Sequence, residues 1–221
     1  MPVQAAIISE RGVRPSMEDA HFLDTNFAGR GWVYGGIYDG HGGALAAESA
    51  AIHLHVKFLE KVLAGLSPEQ SFAEAYQEIS EALKSQDSGT TAVDFLIRDS
   101  AIFTANAGDA RAIVVGRQSV LQLTTDHRLD NEQEAARIRQ RGGEIRYPYV
   151  YRRFAGIMPT RTLGDEFFKP VGVIARPSIG KHPIGDEDLM LVAACDGLFD
   201  FMDNEEIAGL ARRLPEPRAL V

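Results

Sequence analysis

A single cysteine stands in the 221 residues, so no internal disulfide framework exists and a reducing compartment is expected. That cysteine, Cys195, has Phe201 rather than arginine six positions on. The phosphate loop of a cysteine-dependent phosphatase is therefore absent, and Cys195 reads as a small buried residue. No apolar run approaches the ~20 residues of a membrane helix. The N-terminal MPVQAAIISERG has no basic region ahead of an apolar stretch and does not resemble a signal peptide. The chain also lacks a Walker loop, a nucleophile elbow, a His-Glu-x-x-His zinc helix and a dinucleotide fingerprint. Positive charge is short as well: the net charge of −8 argues against a nucleic-acid surface. The expectation is a cytoplasmic protein with no membrane or nucleic-acid partner.

What is present is ordinary in bulk, with 45% apolar and 24% charged residues, and long enough for one sizeable core. We read one domain over residues 1–221, without repeats, low-complexity tracts or a linker. The apolar run Trp32–Ile37 predicts a buried strand. It stops at Tyr38-Asp39-Gly40-His41-Gly42-Gly43, just ahead of a helical pattern beginning near Ala44. A carboxylate, an imidazole and three glycines thus meet where a strand gives way to a helix. This is either a common Asp-Gly turn or a site with a hard oxygen ligand and a proton-exchanging group.

Val3 to Ser9 predicts a short strand ahead of a turn. In Arg14-Pro15-Ser16-Met17-Glu18-Asp19-Ala20-His21, Pro15 keeps Arg14 out of a helix and Glu18-Asp19 lead into a strand. That segment reads as a charged turn, or as an arginine for phosphate beside carboxylates for a metal. Leu45, Ile52, Val56, Leu59 and Leu63 mark the expected inner face of the first helix, with His53 and His55 at its surface or boundary. Ser67-Pro68-Glu69-Gln70 is a capping box opening a second helix with Phe72, Ala75, Tyr76, Ile79 and Leu83 inward. Residues 88–123 predict antiparallel strands turning at Asp99-Ser100 and Arg117-Gln118. Ala105–Arg111, poor in β-branched residues, predicts a bend within them, with structural roles for Asp109 and Arg111. Asp130 is the expected cap of a helix through Ile138 that ends at Gly142-Gly143. Tyr147–Phe154 reads as a substrate-facing hairpin or an exposed strand pair. Leu189–Cys195 is an apolar strand ending in a second Asp-Gly, Asp196-Gly197, and Asp203 with Glu206 caps a last helix. The carboxylates at strand ends, Glu18, Asp19, Asp39, Asp126, Asp196 and Asp200, suit Mg²⁺ or Mn²⁺.

RPSMEDAH, YDGHGG, SGTTAV, ANAGDARA, LTTDHR, RTLGD and ACDGLFD occur in this order between about residue 6 and residue 210. In that succession the chain resembles metal-dependent serine/threonine protein phosphatases of the PP2C (PPM) family. The resemblance implies an α+β fold, a β-sandwich of two antiparallel sheets flanked by helix pairs. It implies hydrolysis of phosphoserine and phosphothreonine in proteins by a metal-bridged water, with no phosphoenzyme. Arg14 matches the substrate-phosphate arginine and His41 the general acid. Asp39 matches the carboxylate bridging two ions, the Gly40 carbonyl and Glu18 ligands of one of them, and Asp19 a neighbour through water. Asp196 matches a ligand of the other ion, and Asp126 and Asp200 complete with it a third, weaker site. One departure stands out. The family's last strand and the Asp-Asn pair before it find no match in the C-terminal residues Leu214–Val221, so a C-terminally shortened domain is expected. That expectation carries two others: a monomer whose sheet edge is open to pairing, and an alternative role as a weak or inactive module that binds phosphoproteins.

Overall fold

The computed structural model describes residues 3–213. Strands β1 (Ala20–Phe27) and β2 (Trp32–Tyr38) form an antiparallel hairpin. The short β3 (Gly40–His41) leads into helices α1 (Leu45–Leu63) and α2 (Pro68–Ala82). A run of strands follows: β4 (Gly89–Thr90), β5 (Ala92–Arg98), β6 (Ala101–Ala107), β7 (Arg111–Gly116) and β8 (Val120–Gln122). Helix α3 (Glu132–Gln140) precedes β9 (Glu144–Arg146), β10 (Tyr149–Arg152), β11 (Ala155–Ile157) and β12 (Leu163–Gly164). Strands β13 (Ser178–Pro183) and β14 (Asp188–Ala194) then lead to α4 (Asp196–Phe199) and α5 (Asn204–Ala211).

A five-stranded sheet runs β1-β2-β5-β6-β13 and a second sheet runs β14-β7-β8, every pairing antiparallel. The period of two along β14 explains how they stack. Leu191 and Ala193 point with Val93, Ala112 and Ile37 into the space between the sheets. Met190, Val192 and Ala194 point the other way, onto Ile207, Ala208 and Ala211 of α5. Helices α1 and α2 cover the opposite face of the five-stranded sheet, where Phe58, Phe72, Tyr34 and Leu96 are fully buried. Each such side chain contributes about 1.5–3 kcal/mol by leaving water. The order helix, sheet, sheet, helix is the expected α+β sandwich. Its second outer face carries α5, with Leu198 and Phe199 of α4 beside it. A separate small core joins α3 to the β9-β10-β11 sheet.

Several local expectations hold. Ser67 and Gln70 cap α2 reciprocally, and Asp203 and Glu206 do the same for α5. Asp99 and Ser100 both take positive φ, 51° and 57°, as a two-residue hairpin turn between β5 and β6 requires. Others are corrected. Val3–Glu10 forms no strand among the described residues, where the run finds no sheet partner and Val3 and Ile8 stay exposed. The cap of α3 is Asn131, whose side chain accepts from the Gln133 N–H at 3.0 Å, not Asp130. On α1 the inner face consists of Ala46, Ala47, Ala50, Leu54 and Phe58, whereas Leu45, Ile52, Val56 and Leu63 are exposed. Residues 214–221, on which the expected shortened edge rests, lie outside the described residues. Among the described residues no helix is long and apolar enough to cross a membrane.

Candidate active site

Asp39 follows the last residue of β2, and its backbone carbonyl accepts from the Thr91 N–H at 2.9 Å. The Glu18 backbone crosses directly above Gly40: a Cβ on Gly40 would stand 2.2 Å from the Glu18 carbonyl oxygen. Only glycine permits that crossing, and it is what sets Glu18-Asp19 beside Asp39. The Glu18 carboxylate is aimed by the Gly43 N–H, which donates to Oε1 at 3.1 Å.

His41 is positioned by a three-stranded sheet of two-residue strands, β12-β4-β3, with His41 opposite Gly89 and Gly89 opposite Gly164. Gly89 carries no side chain, so Asp165 fills the space, and His41 Nε2 meets Asp165 Oδ2 at 2.8 Å. A Cβ on Gly89 would lie 2.0 Å from that carboxylate oxygen. Asp165 itself sits at a φ of 53°, a costly backbone state held by the surrounding sheet. Burial works against a charged His41, but the hydrogen bond and charge of Asp165, with Asp39 and Asp109 beyond, raise its pKa above the ordinary 6.5.

Carboxylates crowd the other side of Asp39. Burial, then the charges of Asp196, Asp19 and Asp109, raise the Asp39 pKa, and burial likewise raises that of Asp19. Cys195 Sγ donates to Asp19 Oδ2 at 3.5 Å, and burial beside Asp19 and Asp39 pushes its thiol up to about 12. It is a neutral thiol, not a nucleophile. Arg14 is exposed on the loop before Glu18, and its charge acts on Asp19 in the opposite sense.

Two arginines complete the cluster. Arg128 donates from Nε to Asp109 Oδ2 at 2.6 Å, from Nη1 to Asp200 Oδ1 at 2.9 Å and from Nη2 to Asp196 Oδ2 at 3.2 Å. Arg111 grips both oxygens of Asp126, from Nε at 3.1 and 3.2 Å, and reaches Asn204 Oδ1 at 2.8 Å. His127, next to Asp126 in the loop after β8, is buried against Gly108 of the turn between β6 and β7. Its Nδ1 lies 3.2 Å from the Gly108 nitrogen and 3.1 Å from the Gly108 carbonyl oxygen, and burial pushes its pKa down to about 4.

A family model, Protein phosphatase 2C, matches residues 4–217. The chain belongs to the protein phosphatase 2C family. It is 33% identical over 224 residues to an Arabidopsis thaliana probable protein phosphatase 2C, covering 95% of this chain and 69% of that one. It is 31% identical over 228 residues to the protein phosphatase 2C homolog 1 of Saccharomyces cerevisiae, with 92% and 79% covered. A rice relative and a second Arabidopsis relative are matched over only 43% and 48% of their length. The fold is that of a serine-threonine phosphatase 2C crystal structure from Toxoplasma gondii, with a TM-score of 0.81 at 19% identity, over 94% of this chain and 83% of that one.

Against this family the sequence-predicted residues divide in two. Glu18, Asp19, Asp39, Gly40, His41 and Asp196 come together around the end of β2, with Arg14 at the edge. Asp126 and Asp200 do not share a partner: Arg111 holds the first and Arg128 the second. Among the described residues no three His, Cys, Asp or Glu side chains already form a metal cage. The inner donors nevertheless fit Mg²⁺ or Mn²⁺ in kind. Glu18, Asp19, Asp39 and Asp196 are hard oxygen ligands, and the burial and mutual repulsion that together raise the Asp39 pKa are what a divalent cation offsets. Asp165 and Arg128 escaped the sequence reading. Each stood inside a quoted motif, RTLGD and LTTDHR, but which side chain it meets is set by long-range register.

Proposed function

We propose that the chain hydrolyses phosphoserine and phosphothreonine esters of proteins in a metal-dependent reaction, acting as one phosphatase domain. The observation carrying this reading is the His41–Asp165 pair set beside the acidic cluster at the end of β2. Glu18, Asp19, Asp39, Asp196 and the Gly40 carbonyl would hold two ions. When bound, such a pair supplies hydroxide at neutral pH and neutralises phosphoryl oxygens. Arg14 binds the substrate phosphate through its forked donors and sets it in line for attack by water. His41, kept protonated by Asp165, donates from its ring to the departing serine or threonine oxygen. The un-ionised Cys195 takes no part, and no phosphoenzyme forms.

A second reading, a weakly active or inactive member that binds phosphoproteins, is favoured by one observation. Arginines already hold Asp126, Asp196 and Asp200. Hydrolysis of a phosphothreonine peptide with Mn²⁺ titrated into the millimolar range separates the two. Turnover that disappears in Asp39→Asn supports the first reading, and no turnover at any Mn²⁺ concentration overturns it.

A further inference from the structure

We propose that Arg128 is a built-in cation for the outer acidic pole of this site, occupying with its guanidinium the place where a third, weaker ion would otherwise bind. The inference rests on the reading that the inner carboxylates take divalent ions. Arg128 spends all three of its nitrogens on three different carboxylates, those of Asp109, Asp200 and Asp196, at 2.6, 2.9 and 3.2 Å. These come from two stretches of chain: Asp109 from the turn before β7, and Asp196 and Asp200 from the first residue and the C-cap of α4. A surface ion pair needs one partner. A planar fork joining three carboxylates is doing what a bound cation does, drawing like charges onto one centre.

Asp109 shows why this cation stays. Its side chain is 3% exposed, so water cannot stabilise its charge, and Arg128 supplies the opposing charge directly. The fourth carboxylate of the region is taken separately. Arg111 lies with its guanidinium 4.6 Å above the Phe199 ring while holding Asp126, so that residue is also turned to an internal cation. A divalent ion entering the outer pole must therefore displace a guanidinium held by three charge-assisted bonds. Asp39, Glu18 and Asp19 carry no such partner among the described residues and stay available, and Asp196, which Arg128 holds through Oδ2 alone at 3.2 Å, keeps its other oxygen for the inner ions. The arrangement separates an inner pole open to metal from an outer pole closed to it. Lysine at 128 would keep the charge but, lacking the fork, would reach fewer of the three carboxylates at once.

The test reads metal binding without substrate. Mn²⁺ stoichiometry and affinity are measured by equilibrium dialysis and calorimetry on the wild type, Arg128→Gln and Arg128→Lys. The expected result is one more Mn²⁺ per chain in Arg128→Gln, or a gain of at least tenfold at the weakest site, with Arg128→Lys between it and the wild type. Unchanged stoichiometry and affinity in Arg128→Gln overturn the proposal. If that variant fails to fold, the double variant Asp109→Asn/Arg128→Gln removes the buried charge together with its partner, and the same gain is required of it. Asp39→Asn measured alongside reports on the inner pole. Ions lost there while Arg128→Gln gains nothing overturn the outer-pole assignment alone; no Mn²⁺ bound by any form overturns both readings.

Discussion

His41 Nε2 and Asp165 Oδ2 meet at 2.8 Å although 124 positions separate them in the chain. Asparagine at 165 keeps the shape and tolerates the left-handed backbone, so Asp165→Asn is a clean test of the charge. In the folded protein the Asp165 interaction raises the His41 pKa, so the imidazolium persists to higher pH. Removing it should lower kcat about 10- to 100-fold and move the alkaline limb of the kcat profile to lower pH. A profile with an unmoved limb and unchanged kcat would show that Asp165 only supports the loop.

Gly89 makes the same pair vulnerable through space rather than charge. An added Cβ would fall 2.0 Å from Asp165 Oδ2, and the carboxylate must move away from His41. Gly89→Ala should lose kcat much as Asp165→Asn does, with Mn²⁺ affinity within about twofold of wild type because the inner donors lie on other segments. The two changes act on one contact and should not add. A double variant whose loss equals the product of the single losses would rule out this route.

The sequence disclosed what is local. Caps such as Ser67 and Asp203, the hairpin at Asp99-Ser100 and the apolar strands of β2 and β14 are set by neighbours a few positions away. On α1 the stripe of Leu45, Ile52, Val56, Leu59 and Leu63 is regular but is not the inner face, which is built on Ala46, Ala47 and Ala50 ahead of Leu54 and Phe58. Close approach explains the choice: Ala47 Cβ stands 3.1 Å from where a side chain on Gly40 would begin, so a Leu there would push the helix off the site. Arg128 and Asp165 were hidden for another reason. Their partners lie up to 124 positions away, across sheets whose register no local pattern states.

Away from the site, Asp94 offers a prediction on stability. Its fully buried carboxylate accepts hydroxyl protons from Tyr34 at 2.8 Å, Tyr38 at 2.7 Å and Tyr76 at 2.7 Å. Burial raises its pKa from 3.8 to about 6, with the three hydroxyls opposing the shift. The native state therefore keeps a proton that the unfolded chain has already released. The resulting stability is fully present below about pH 3.8 and is lost as pH rises through about 6, on the order of 3 kcal/mol in all. Asp94→Asn cannot ionise, so urea unfolding should show it gaining about 2–3 kcal/mol on the wild type between pH 4 and pH 7. Asp94→Ala should instead lose about 2–5 kcal/mol, since it leaves the Tyr34 and Tyr38 hydroxyls buried without an acceptor, while Tyr76 keeps the Ala105 carbonyl at 2.9 Å. A difference between Asp94→Asn and wild type that does not change with pH would contradict the assignment.

Arg14 is presented by a loop that another arginine fastens. Arg11 Nη1 donates to the Arg14 and Pro15 carbonyls, each at 3.0 Å, and the Arg14 N–H returns to the Arg11 carbonyl at 3.3 Å. The Arg14 guanidinium forms no ion pair among the described residues, so its donors are free for a ligand at the edge of the acidic cluster. A phosphate there needs a cation, because Glu18, Asp19 and Asp39 would otherwise repel it. Arg14→Ala should raise KM for a phosphopeptide about tenfold or more, as expected for the loss of one or two charge-assisted hydrogen bonds. Arg14→Lys should recover only part of this, keeping the charge without the fork. Arg11→Ala should raise KM by about two- to fivefold through a looser loop, an effect of a fraction of a kcal/mol up to about 1. Calorimetry with Mn²⁺ decides whether the effect is on phosphate alone. Arg14→Ala should bind Mn²⁺ within about twofold of wild type, and a parallel fall in metal and substrate affinity would show that Arg14 holds the acidic cluster together rather than the phosphate.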